Sequence, residues 1–182
     1  MARPSREERL SGDRVYSGRV VVLEVDRVGL PNGAESVREV IRHRGAAVVL
    51  PLLDDGRVVL VRQYRYPVAE SLLELPAGTL EPGEDPMDCA ARELAEETGF
   101  RARTLSPLGR FYSAPGYTDE TLHAVLAIGL ERTAEANPDH DELIETELVA
   151  AGDVLRRIAS GEIRDAKTIA TLMLAQLHGV RL

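Results

Sequence analysis

Three glutamates, Glu93, Glu96 and Glu97, fall within the stretch "AARELAEETGF" at residues 90–100. On an α-helix they stand at i, i+3 and i+4, so their carboxylates share one face. Two unscreened carboxylates about 6 Å apart repel by roughly 3 kcal/mol at an effective dielectric of about 20. A helix tolerates that repulsion if the face is well solvated, or if cations neutralise it. Hard divalent cations such as Mg²⁺ take oxygen ligands of this kind. The helix alone leaves both readings open, a solvated acidic surface and a metal site.

The surrounding sequence sets how such a face would be held. Asp85 suits an N-cap, Pro86 the first helical position and Gly99 the stop after the last turn. Met87, Ala90, Ala91 and Leu94 form an apolar stripe about 110° around the axis from the glutamates. Burying that stripe should leave the glutamates at the edge of a groove. Upstream, "LLELPAGTLEPGEDP" (72–86) reads as a loop with a short strand or two. "AAVVLPLL" and "RVVLVRQYR" read as a hairpin about "DDG" (54–56), apolar enough to be buried on both faces. Two more strands are expected between Arg19 and His43, around a turn at "LPNG". Strand-like segments recur near 105–113, 120–130 and 143–149, and "AGDVLRRIAS" and "AKTIATLMLAQLHG" read as closing helices. Residues 1 to 14 are expected to be a mobile arm. Strands flanked by a few helices make the class α/β or α+β.

Composition limits what this chain does. Its 182 residues suit one domain with a substantial core, 44% hydrophobic and 29% charged. A net charge of −8 argues against a nucleic-acid or membrane-surface binder. A phosphate-bearing substrate stays open, because a bound divalent cation reverses the local field. The single Cys89 allows no internal disulfide and favours a reducing compartment. The opening "MARPSREERLSGDR" lacks a signal peptide's apolar core, and "IATLMLAQL" is too short to cross a bilayer. The expectation is a soluble, cytoplasmic protein.

Gly78, Glu84, Arg92-Glu93-Leu94, Glu96-Glu97, Gly99 and Phe100 follow the 23-residue pattern G-x5-E-x7-R-E-L-x-E-E-x-G-F. This resembles the Nudix box without departure at any defining position. The box covers about an eighth of the chain, and the strand order around it is similar to that family's. The resemblance implies an α/β/α sandwich with a mixed sheet, preceded by an N-terminal antiparallel sheet over residues 1–44, with the hydrolase domain at 45–182. It also implies hydrolysis of a nucleoside diphosphate linked to another group, with Mg²⁺ or Mn²⁺. Glu93 and Glu97 are then the main metal ligands, with Glu96 contributing directly or through water. Glu84 and Arg92 brace the loop against the helix.

Three further stretches resemble the ADP-ribose pyrophosphatase branch of the family. "LELPAG" (73–78) puts Ala77, whose carbonyl would be a metal ligand, directly before the box. "SAPGYTDE" (113–120) puts Pro115 and Gly116 at the offset that accompanies ADP-ribose specificity. By position, Arg38, Glu39 and Arg65 match substrate contacts, Arg65 as a phosphate clamp, with Glu74 a weaker candidate. On "NPDHDELIE" (137–145) the resemblance implies a general base, with Glu142 the best fit and Asp141 and Glu145 its rivals. His140 is set aside. The implied reaction gives AMP and ribose 5-phosphate, in a homodimer joined through residues 15 to 45. The rivals are hydrolysis of another nucleoside diphosphate derivative, and a non-catalytic ADP-ribose sensor. Asp165, Lys167 and Thr168 open a closing segment expected to pack over the site, with no role assigned.

Overall fold

The computed structural model describes residues 6–133 and 143–182, in two compact units. The first comprises the chain up to Arg44 together with Tyr112–Thr121. Strands β1 (Glu8–Ser17), β2 (Val22–Gly29) and β3 (Glu35–Arg42) form an antiparallel sheet in that order. The expected turn joins β2 to β3: Gly33, at φ 82°, donates to the Leu30 carbonyl. The mobile arm expected over residues 1–14 is overturned from Glu8 onward, since β1 pairs with β2 from Glu8↔Gly29 to Ser17↔Val22. Its polar composition hid it, because β1 is an edge strand exposed over most of its length. An ion pair from Arg9 to the buried Asp26 anchors it (2.8 Å). Residues 112–121 are tied to β3 by Ile41 N–H to the Tyr117 carbonyl (2.8 Å) and His43 N–H to Asp119 Oδ1 (2.9 Å).

The second unit spans Gly45–Phe111 and Leu122–Leu182. Its strands are β4 (Ala46–Pro51), β5 (Arg57–Arg65), β6 (Glu70–Glu74), β7 (Ala77–Thr79), β8 (Phe100–Tyr112), β9 (Thr121–Arg132) and β10 (Ile144–Ala150). They form a mixed sheet, β7-β4-β9-β8, in which β4 runs parallel to β9, and an antiparallel sheet, β10-β5-β6. Three helices complete it: α1 (Pro86–Thr98), α2 (Ala151–Ala159) and α3 (Ala166–Leu177).

The chain does reverse at Asp54-Asp55-Gly56, with Gly56 at φ 81°. The expected β4–β5 hairpin does not form. The two strands meet at the bridge Leu52↔Val58 and then part into different sheets. An apolar run on both faces says that a strand is central; it does not say in which sheet. β4 lies between β7 and β9, and β5 between β10 and β6.

Two cores follow from the strand period. Val48 and Leu50 of β4 join Val58, Leu60, Leu73, Leu75, Val154 and Leu172 in the larger one. Ala47 and Val49, on the opposite face, pack with Val59, Cys89, Ala90, Leu94 and Val125 beneath α1. Of the apolar stripe expected on α1, Ala90 and Leu94 are fully buried and Met87 is partly buried. Ala91 is exposed, and Cys89 fills the core position instead. Among the described residues no helix is long and apolar enough to cross a membrane.

Candidate active site

Helix α1 begins and ends where its sequence dictates. Asp85 Oδ1 accepts from the Met87 N–H (2.8 Å), Pro86 takes the first position, and Gly99 closes the helix at φ 72°. With these ends fixed and Leu94 in the core, Glu93 and Glu97 turn inward. They are 9% and 3% exposed, so the expected groove-edge position is corrected to burial against β7. Glu97 Oε2 accepts from the Ala77 N–H (3.2 Å). The Glu93 carboxylate lies over Gly78, where a Cβ would stand only 1.7 Å from Oε1. Glycine is required there for space, since β7 could not otherwise lie so close to α1. Glu96 turns outward and is partly exposed.

Arg92 answers the repulsion among these carboxylates. Its guanidinium reaches Glu84 through Nε and Nη2 (2.9 and 3.0 Å), and Glu93 and Glu96 through Nη1 (2.7 and 3.0 Å). Glu84 Oε2 also accepts from the Glu81 N–H (2.8 Å) and so fixes the loop entering α1. The bonds from Arg92 hold the Glu84 carboxyl down to about 2, and those from Glu84, Glu93 and Glu96 raise Arg92 above the ordinary arginine range. Cys89 lies 3.5 Å from the Gly78 carbonyl; burial, then Glu84 and Glu93, push its thiol up to about 12 and keep it unreactive.

A second charged cluster lies on β5, β6 and the start of α3. Glu74, 1% exposed, accepts from Arg65 Nη2 and from Lys167 Nζ, each at 2.6 Å. Lys167 also pairs with Asp165 (3.0 Å), the N-cap of α3, whose Oδ2 accepts from the Thr168 N–H (2.9 Å) and hydroxyl (2.6 Å). Thr168 Oγ1 in turn accepts from the buried Leu75 N–H (2.8 Å). Burial opposes charge on Arg65, yet Glu74, Glu97 and Asp165 hold its pKa above the ordinary value. Sequence reasoning placed Lys167 and Thr168 near the site without a task. The signal it passed over was Asp165 three residues before Thr168, a helix-capping pattern.

Arg38 bonds Glu7 (2.6 and 2.9 Å) and the Ser36 hydroxyl (2.9 Å), and Glu39 is exposed on β3 opposite Val25. Pro115 and Gly116 form an exposed turn closed onto the Ala114 carbonyl. All four belong to the first unit, whereas Arg65, Glu74, Ala77, Glu93, Glu96 and Glu97 belong to the second. Glu142, Asp141 and His140 lie outside the described residues; Glu145 is exposed on β10, opposite Arg62.

Among the described residues no three acidic, histidine or cysteine side chains form a ready-made metal cage. The acidic side chains that α1 brings against β7, Glu93 and Glu97, nonetheless offer carboxylate oxygens. That set fits Mg²⁺, which is held through one or two carboxylates and completes its shell with water and substrate phosphate.

Known proteins share this architecture. A family model described as NUDIX domain matches residues 42–172. The ADP-ribose pyrophosphatase of Bacillus subtilis (strain 168) is 41% identical over 94% of this chain and 93% of its own. The methanol dehydrogenase activator of Bacillus methanolicus is 39% identical over 98% and 97%. The solved structure described as "Crystal structure of ADP compounds hydrolase" matches with a TM-score of 0.83 over 96% of this chain and 97% of that one; at 23% identity it speaks for the fold.

Proposed function

The chain belongs to the Nudix family, and from that premise we propose that it hydrolyses the pyrophosphate bond of ADP-ribose, giving AMP and ribose 5-phosphate. The observation that carries the reaction class is the seating of two buried carboxylates, Glu93 on Gly78 and Glu97 on the Ala77 N–H, inside an intact box. The similarity to the Bacillus subtilis ADP-ribose pyrophosphatase over nearly the whole chain supports the choice of substrate.

In this reading the Ala77 carbonyl, Glu93, Glu96 and Glu97 hold Mg²⁺ or Mn²⁺. The bound metal would neutralise diphosphate charge and lower the pKa of a coordinated water. The chain's own residues prepare that site. Arg92 holds Glu93 in place, and Glu84 holds Arg92. Arg65 offers a planar pair of donors to a phosphate oxygen. Glu142, with Asp141 and Glu145 as its rivals, or else a box glutamate, would take a proton from the attacking water. Arg38, Glu39, Pro115 and Gly116 are assigned to the adenosine and its phosphates by family resemblance, and Glu74 to the same pocket through Arg65. Residues 1–44 are assigned to closure over substrate and to a homodimer joined through residues 15 to 45. The single buried thiol fits a reducing cytoplasm.

The test is a panel of nucleoside diphosphate derivatives incubated with the protein and Mg²⁺ in ¹⁸O-labelled water, with products identified by mass. ADP-ribose should be cleaved with the highest kcat/KM, and the label should enter one of the two monophosphates. Preference for another nucleotide sugar would move the substrate within the family. Binding of ADP-ribose without turnover would refute catalysis. A monomer in sedimentation would refute the dimer.

A further inference from the structure

The cluster on β6 and α3 poses a problem that the box does not. Glu74 is a carboxylate with 1% exposure, and leaving such a charge without a counter-ion is strongly destabilising. Were Arg65 its sole cation, moving Arg65 to a substrate phosphate would strand that charge. Two cations share the carboxylate instead, and they differ. The Arg65 side chain is 34% exposed, at the accessible end of the pair, whereas Lys167 is 17% exposed and anchored on α3. Lys167 also meets Asp165, but that carboxylate has two further partners, the Thr168 N–H and hydroxyl at the positive N-terminus of α3. Lys167 is therefore available to Glu74.

We propose that Lys167 is a positioning residue: it keeps Glu74 neutralised while Arg65 exchanges that carboxylate for an anionic oxygen of the nucleoside diphosphate substrate. The inference rests on the reading of Arg65 as a phosphate-binding residue in an ADP-ribose hydrolase. No bond is made or broken; one ion pair replaces another. The same α3 turn bonds Leu75 N–H through Thr168, so the counter-ion and the segment leading to Ala77 are fixed by one element.

The experiment is a charge-balance cycle read by kinetics and by equilibrium binding of a methylene-bridged ADP-ribose analogue. With Lys167→Met, Arg65 is held by Glu74. KM and the analogue's Kd should both rise, by roughly tenfold, while kcat stays within about threefold. In Glu74→Gln no buried charge demands a partner, so adding Lys167→Met to Glu74→Gln should change analogue affinity by less than about threefold. The double variant also serves if Lys167→Met does not fold, because it removes the unpaired charge that would unfold it. Unchanged KM and Kd in Lys167→Met would overturn the proposal. So would a double variant that binds at least about tenfold more weakly than Glu74→Gln, because Lys167 would then act on binding without the Glu74 charge. A wild-type protein inert towards ADP-ribose and its analogue would instead overturn the functional reading, and this inference with it.

Discussion

Replacing Gly78 with alanine separates the cost of misplacing Glu93 from the cost of unfolding. The added Cβ would stand 1.7 Å from Glu93 Oε1, 1.9 Å from its Cδ and 2.5 Å from Oε2, where ordinary contact begins at 3.4 Å. Something must move by about 1.7 Å. The strand resists: Gly78 is paired with Ala47 of β4, the Pro76 carbonyl accepts from the Val49 N–H (2.9 Å), and the Ala77 N–H is bonded to Glu97. The far end of the Glu93 side chain yields more easily, at the expense of its 2.7 Å bond to Arg92. A charge-assisted bond of this kind contributes about 1.5–3 kcal/mol, part of which the displaced carboxylate regains from water, so stability should fall by about 1–2 kcal/mol. Activity should fall much further, since a 1 Å misplacement at a reacting centre costs about 100-fold. The assay is kcat/KM for ADP-ribose beside urea denaturation. Gly152→Ala is the control: in α2 its Cβ meets nothing within 4 Å, and it should gain about 0.5–1 kcal/mol with unchanged turnover. Gly78→Ala with kcat/KM within about threefold of wild type, or with a loss matching only its unfolded fraction, would refute the reasoning.

Other variants test neighbouring parts. Arg92→Met leaves Glu84, Glu93 and Glu96 without their shared cation and should cost about 3–5 kcal/mol at neutral pH. Because Arg92 holds the Glu84 carboxyl down to about 2, that contribution is complete above its ordinary value of 4.5 and is lost as pH falls toward 2. The gap between wild type and Arg92→Met in urea should therefore narrow from about pH 5 to about pH 3; a constant gap would refute the assignment. Thr168→Val leaves the buried Leu75 N–H without its acceptor and should lower stability by about 1–3 kcal/mol in the same assay. Glu97→Gln should lower kcat by more than about 100-fold, and by more than Glu142→Gln does. Near-wild-type turnover of Glu97→Gln at saturating Mg²⁺ would sink the ligand assignment.

What could be read from the sequence divides along the range of the interactions. Helix α1 was legible to the residue because Asp85, Pro86 and Gly99 act within a single turn of where they stand. The turns at Gly33 and Gly56 were legible for the same reason. The partner of β4 was not. Its six buried residues announce a central strand, but pairing with Leu122–Ala127 in parallel joins segments more than seventy residues apart. Strand β1 was missed because an edge strand exposed on most of its length has no alternation to show.

The site divides the same way, with one consequence for how its chemistry is held. Spacing alone put Glu93, Glu96 and Glu97 on one face, and on that basis the three are equivalent. Packing makes them unequal: Leu94 in the core draws Glu93 and Glu97 inward against β7, and Glu96 is left outside on Arg92. The same helix therefore carries two buried carboxylates and their brace. A buried carboxylate keeps its charge only if a cation is near: Arg92 bonds Glu93 at 2.7 Å, and Glu97 shares the field of the Arg65 guanidinium. The pattern R-E-L-x-E-E is thus a way of placing one arginine so that, of the two buried carboxylates, it bonds Glu93, while Glu97 accepts from the Ala77 N–H of β7. It follows that exchanging Arg92 for lysine, which cannot serve Glu84 and Glu93 through one planar fork, should disturb Glu93 while leaving the Glu97–Ala77 bond in place.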